Sequence, residues 1–306
     1  MKVIVPNELT LVECSVKESK ENDGEAWDIS KTYTAGVLVN QDNTVYQSLD
    51  NNNTGNSPGE TYSGTDAKWK KVGATTPYKM FDAFIETQTV APPGEPLTFT
   101  VPFNRATAFA MFNLEGEAVH IVITDDDAEE PYYDETFELI KDINRMSAFE
   151  YFYDYIEGTD TIIRTNLSMP IVGTMSVEIT SSSETHQVKV GQVIVGRDRY
   201  IGDTKYDAEI GISDYSRKTT DEFGVTSLVR RSFAKRATLP LYLHPDELDA
   251  VAGILQSIRA IPCVFECDNS DNGYAALMYY GWLEDWRLVI AGPNEAELNL
   301  EIQGMI

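Results

Sequence analysis

The chain has 306 residues, 42% of them apolar, and 49 Asp and Glu against 24 Lys and Arg, for a net charge of -25 and an isoelectric point near 4.4. That length and apolar share suit one large domain or two to three ordinary ones and exclude global disorder, while the charge would repel a phosphate backbone and argues against nucleic-acid binding. No run of about 18 apolar residues occurs, which excludes a helical membrane span, and three cysteines, Cys14, Cys263 and Cys267, make no disulfide framework.

Residues 1–23 open with "MKVIVPNELTLVEC", which reads as a strand interrupted at Pro6 and forms an N-terminal arm. It lacks the apolar core of a secretory signal, and the odd, low cysteine count leads to the expectation of synthesis in a reducing compartment. Residues 24–75 are polar and turn-rich, with Trp27 near one end and Trp69 near the other. Short apolar runs at Gly36–Val39 and Thr44–Tyr46 flank Asn40–Asn43, the pattern of a hairpin. The loop Asn51–Gly64 has few apolar groups, so a unit of this size needs its Trp and Tyr side chains for a core.

Residues 76–182 read as a β-sandwich or jelly roll. "EPLTFTVPF" alternates, and "AFAMFNL", "AVHIVIT", "ETFELIK" and "MSVEITSS" follow, each bounded by turn residues. "SAFEYFYDYIEG" (147–158) fits either a short helix or an irregular strand. Residues 183–306 read as α+β. "HPDELDAVAGILQSIRA" is the clearest helix: Pro245 suits its first position, Asp246 and Glu247 suit its positive end, and Leu248, Val251, Ala252, Leu255 and Ile258 form one apolar stripe. Strands "CVFEC", "AALMYYGWL" and "AELNLEIQGMI" complete a sheet for it to lie on. The fold class is therefore mainly β: a small aromatic β module, a sandwich, and a C-terminal α+β domain.

Chemistry-bearing patterns are sparse. His120, His186 and His244 fit no zinc spacing, and Cys263 and Cys267 lack two further ligands, so no metal site is assigned. There is no phosphate-cradling glycine loop and no nucleophile elbow. "TDDDAEEPYYDE" (124–135), with Asp125–Asp127, is the densest carboxylate cluster; it reads as a solvated hairpin tip or as a Ca²⁺ ligand set without EF-hand spacing. No cofactor is implied and no catalytic residue is assigned. The charge is uneven: residues 115–160 hold fifteen acids and two basic residues, whereas residues 191–240 hold nine Arg or Lys against seven acids. Arg230, Arg231, Lys235 and Arg236 make a basic strip suited to an acidic neighbour, such as another copy of the chain, or to ordinary surface solvation.

Two resemblances follow. Trp27, Tyr33, Gly36, Tyr46, Pro58 and Trp69, in "AWDISKTYTAGVLVNQDNTVYQSLDNNNTGNSPG…AKWKKV", resemble the small carbohydrate-binding modules of bacterial chitinases. The match departs at Gly36–Val39, where those modules have G-D-x-V, and in a longer loop before Trp69. The resemblance implies sugar stacking on Trp27, Tyr33, Tyr46, Tyr62 and Trp69. On the residues alone, Trp27, Tyr46 and Trp69 read either as such rings or as the module's core with no ligand, and Tyr33 and Tyr62, which flank turns, as the exposed platforms. "VKVGQVIVGRDRYIGDTKYDAEIGISDYSRKTTDEFGVTSLVRRSFAKR", above all "DYSRKTTDEFG", together with "YYGWLEDWRLVI", is similar to a family of tailed-bacteriophage tail or baseplate proteins. It implies a non-enzymatic virion component with other tail proteins and host cell-surface polysaccharide as partners, working as a homo-oligomer. A purely structural tail-ring protein without a glycan ligand, and a glycan-degrading enzyme with an accessory module, are the alternatives.

Overall fold

The computed structural model describes residues 1–125, 130–139, 159–267, 277–290, 292 and 295–305. The aromatic run 147–158, and 126–129 of the acidic cluster, lie outside these residues. The architecture is mainly β, with antiparallel sheets and one α-helix among the described residues.

The large sheet orders its strands as Ile162–Arg164, Ala108–Phe112, Gln192–Tyr200, Lys2–Pro6, Cys263–Glu266, Met278–Ile290, Ala296–Gly304, Phe233–Leu243 and Asp203–Thr204; Glu209–Asp214 also pairs with Phe233–Leu243. One of the sheets is a half-barrel. A five-stranded sheet orders Tyr133–Glu138, Ala118–Thr124, Val172–Thr180, Leu97–Asn104 and Glu13–Cys14. The strand from residue 97 buries every second residue, as does that from 118. This is the period-two signature of a sheet with one face on a core.

One face of the large sheet serves two cores. Phe109, Met111, Val193 and Val195 meet Phe99, Val101, Ile121 and Val177 of the five-stranded sheet. Farther along, Val3, Phe265, Leu239, Leu298 and Leu300 pack with Val251, Leu255 and Ile258 of helix α1 (Leu248–Ser257). The register sets Val5 opposite Arg197, two residues from Val195, so both clusters lie on the same side. The opposite face carries Ile4, Ala110, Ile194, Val264 and Tyr280. At the sandwich edge, the Arg164 guanidinium stacks 4.5 Å over the Phe137 ring and reaches Glu135 at 3.6 Å, joining the two edge strands.

Helix α1 takes the expected stripe, with Val251 and Leu255 buried. A 3₁₀ turn, Pro245–Glu247, precedes it. His244 caps that turn: its Nδ1 accepts from the Asp246 amide, and Glu247 reaches back to the His244 amide.

The expected division at 182/183 does not separate two sheets. Strands from 108–112 and 162–164 lie in the large sheet beside 192–200, and the N-terminal segment supplies a central strand rather than a peripheral arm. Pairing of Lys2–Pro6 with both Gln192–Tyr200 and Cys263–Glu266 satisfies its backbone groups on both sides.

Candidate functional site

The module over 24–75 is closed at its neck by Asp23. This carboxylate is buried. Its Oδ1 accepts from the Thr76 amide at 2.8 Å and the Thr76 hydroxyl at 2.9 Å, and its Oδ2 accepts from the Ser19 amide at 2.9 Å. Both ends of the insert thus meet on one side chain. The next residue, Gly24, has φ +74°, and a Cβ there would lie 2.3 Å from the Leu38 carbonyl oxygen. Glycine is required for Glu25–Ala26 to pair in parallel with the Leu38–Gln41 strand. Beyond it, Leu38–Gln41 and Thr44–Ser48 form the expected hairpin, with positive φ at Asp42 and Asn43 as a tight two-residue turn demands.

The module's core is aromatic. Trp69 is 0%, Tyr33 2% and Tyr46 7% exposed. The Tyr33 and Trp69 rings meet edge-on with centroids 5.3 Å apart. The Tyr33 hydroxyl accepts from the Asp28 amide at 2.7 Å, and the Trp69 indole N–H donates to the Asn56 carbonyl at 3.0 Å. Trp27 is half-buried against this cluster. The loop 51–64 is held by polar contacts. Buried Asn53 donates to Ser48 Oγ and to the Lys68 carbonyl, and Gln41 Oε1 accepts from Ser57 Oγ and the Gly59 amide.

The expected sugar platform is therefore corrected. Tyr33 was expected beside a turn and exposed; instead its ring is sealed, because Asp28 folds back onto its hydroxyl, Trp69 meets it edge-on and Lys31 Nζ lies 5.6 Å over the ring. Trp69 and Tyr46 likewise offer no free face to a pyranose. Tyr62, 43% exposed and 6.0 Å from Tyr46, is the ring that reaches solvent most fully among the five.

The second surface is an arm. Glu209–Asp214 runs along the large sheet and continues into a hairpin of Arg217–Thr220 and Thr226–Val229, after which Phe233–Leu243 returns to the sheet. Every residue of the two hairpin strands is exposed. Yet the arm carries Ile210, Ile212, Tyr215, Val225 and Val229 on its surface, with Phe223 88% and Leu228 71% exposed. Its tip is an ordered turn: Asp221 Oδ1 accepts from the Phe223 amide at 3.0 Å and the Val225 amide at 2.7 Å. At its base, the Asp214 carboxylate is held below the usual range by hydrogen bonds from Ser216.

All four residues of the basic strip are exposed on or beside this arm. They do not form one patch. Arg230 and Arg231 follow the hairpin's second strand. Arg236 lies 3.6 Å from Glu284 in a cleft with Glu209 and Glu301, whereas Lys235 borders a different cleft with Phe112 and Tyr280. Adjacent residues of one strand point to opposite sides, which splits the strip. No signal within "LVRRSFAKR" revealed the arm; it becomes visible only when the flanking strands find the sheet.

Among the described residues, no group of three or more His, Cys, Asp and Glu is placed to hold a metal ion, and no helix is long and apolar enough to cross a membrane. In comparisons with family models, curated proteins and solved structures, none matches this chain.

Proposed function

We propose that the chain is a structural subunit of a multi-copy assembly and, following the resemblance of "DYSRKTTDEFG", of a phage tail tip or baseplate, where it acts in the virion beside other tail proteins. The observation that carries this reading is the arm. A two-stranded hairpin is marginally stable alone in water, and large apolar side chains left exposed on one element mark a surface that meets another protein. Here such side chains sit on a hairpin whose turn is fixed by hydrogen bonds. The test is the assembly state of the full chain against a variant with charged residues at Phe223 and Leu228.

A second reading, weak attachment to host cell-surface polysaccharide through the module, is favoured by Tyr62 alone, an exposed ring beside Tyr46. Several copies in one particle would raise the avidity of such a weak site. Retention of the full chain on bacterial cell-wall polysaccharide, lost with Tyr62→Ala, tests it.

A further inference from the structure

Three adjacent strands of the large sheet place one lysine between two carboxylates. Lys2 stands on the central strand Lys2–Pro6, Glu266 directly opposite it on Cys263–Glu266, and Asp198 opposite Ile4 on Gln192–Tyr200. Directly opposed residues share a face, so all three lie on the side that carries Ile4 and Val264. They are shielded from water: the Lys2 and Asp198 side chains are 13% and 10% exposed, and Glu266 is 8% exposed. Lys2 Nζ lies 3.7 Å from Asp198 Oδ2 and donates to Thr165 Oγ1 at 3.3 Å. The Thr165 hydroxyl in turn donates to Glu266 Oε2 at 3.0 Å. On the other side of Asp198, Thr107 Oγ1 accepts from the Asp198 amide at 3.0 Å, and its own proton goes to Asp198 Oδ1.

We infer that Lys2 and Asp198 join in an isopeptide bond, an amide that the folded chain makes from its own side chains. Two effects favour it. Groups held in place for an intramolecular reaction act at effective concentrations on the order of 10⁵–10⁸ M. A buried ion pair also carries a desolvation cost that a neutral amide avoids. The step needs no oxidant and no co-reactant. Nζ bonds to Cγ of Asp198, the Cγ–Oδ2 bond breaks, and two of the three ammonium protons leave with Oδ2 as water. Thr165 passes one of them to Glu266 while the new bond forms, which frees the Nζ lone pair, and hands it back as Oδ2 departs. Both protons cross to Oδ2 from Nζ, the atom it faces. The Thr107 hydroxyl holds the charge that gathers on Oδ1, which stays as the amide oxygen. The product ties the first strand to its neighbour and restricts the unfolded chain. This inference is independent of the multi-copy reading.

The intact mass of the purified full chain, taken in denaturant, tests it. The expected mass lies one water below that of the sequence. After trypsin, residues 1–17 and 198–199 should appear as one branched peptide, uncut at Lys2. Lys2→Arg, which keeps the charge but not the nucleophile, should show its full mass. Thr165→Val and Glu266→Gln should each lower the linked fraction several-fold, and Thr165→Ser should restore it. A wild-type chain at full mass would overturn the inference and leave an ordinary buried ion pair. Loss of water with the branch at Glu266 would overturn the choice of Asp198. An E266Q chain linked as completely as wild type would overturn the proton relay.

Discussion

Tyr33 and Trp69 meet edge to face at 5.3 Å in the interior of the 24–75 module, each with its polar atom bonded to the module's own backbone. These two rings hold the module together. Trp69→Ala should cost about 3–5 kcal/mol, the range for a buried aromatic truncated in a core. Because the module has its own small cluster, the loss should appear as local opening. Amide exchange across 24–75 should rise by orders of magnitude while the strands of the large sheet keep their protection. Tyr62→Ala, at an exposed ring, should shift stability by no more than about 0.5 kcal/mol. Equal exchange in wild type and W69A would contradict the assignment of Trp69 as core.

The neck makes a separate prediction. Asp23→Ala would leave two amides and one hydroxyl, of Ser19 and Thr76, without their acceptor. Buried unpaired donors cost about 1–3 kcal/mol. The module should then be released by limited proteolysis near 19–24 or 75–76 several-fold faster than in wild type, with the body intact. Asp23→Asn, which keeps an acceptor oxygen, should fall between the two. Gly24→Ala should behave like D23A, since its Cβ would collide with the Leu38 carbonyl. Identical cleavage rates in all four proteins would show that the carboxylate does not hold the neck.

Alkaline pH should destabilise the fold. Burial pushes the Cys263 thiol up to about 12 and the Tyr279 phenol to about 12. Unfolded cysteine ionises near about 8.5 and tyrosine near about 10. Between those values and about 12 the unfolded chain has released protons that the native chain retains, so stability falls as pH rises. The contribution is fully present below about pH 8.5 and is lost progressively up to about pH 12. Urea midpoints at pH 8, 9.5, 10.5 and 11.5 should decline, and Cys263→Ala should flatten the first part of that decline. A midpoint constant from pH 8 to 11.5 would contradict the burial assigned to these groups.

Much of this fold was legible from local pattern. Helix α1 announces itself through Leu248, Val251, Leu255 and Ile258 at helical spacing, and the strands from 97 and 118 through strict alternation. What was not legible is long-range pairing. Lys2–Pro6 finds partners near 196–200 and 264–266, and nothing in "KVIVP" encodes that choice. This is why the sandwich and the α+β region were separated at 182/183 although one sheet crosses that point. The candidate site failed for a related reason. Tyr33 beside a turn looks exposed until Asp28 is seen to curl back onto it, and Lys235 and Arg236 look like one patch until strand geometry divides them. Asp23 carries no local mark of burial; its role depends on Thr76, fifty-three residues away.

The arm is the centre of the account, and sedimentation velocity tests it most directly. The wild-type chain, followed across a hundredfold range of concentration, should shift from monomer to a defined multi-copy species. Phe223→Asp combined with Leu228→Asp should stay monomeric over the same range with an unchanged melting temperature, since both side chains are exposed in the single chain. Association of the double variant at the same concentrations as wild type, or a wild type that never associates, would contradict the claim that this hairpin joins copies.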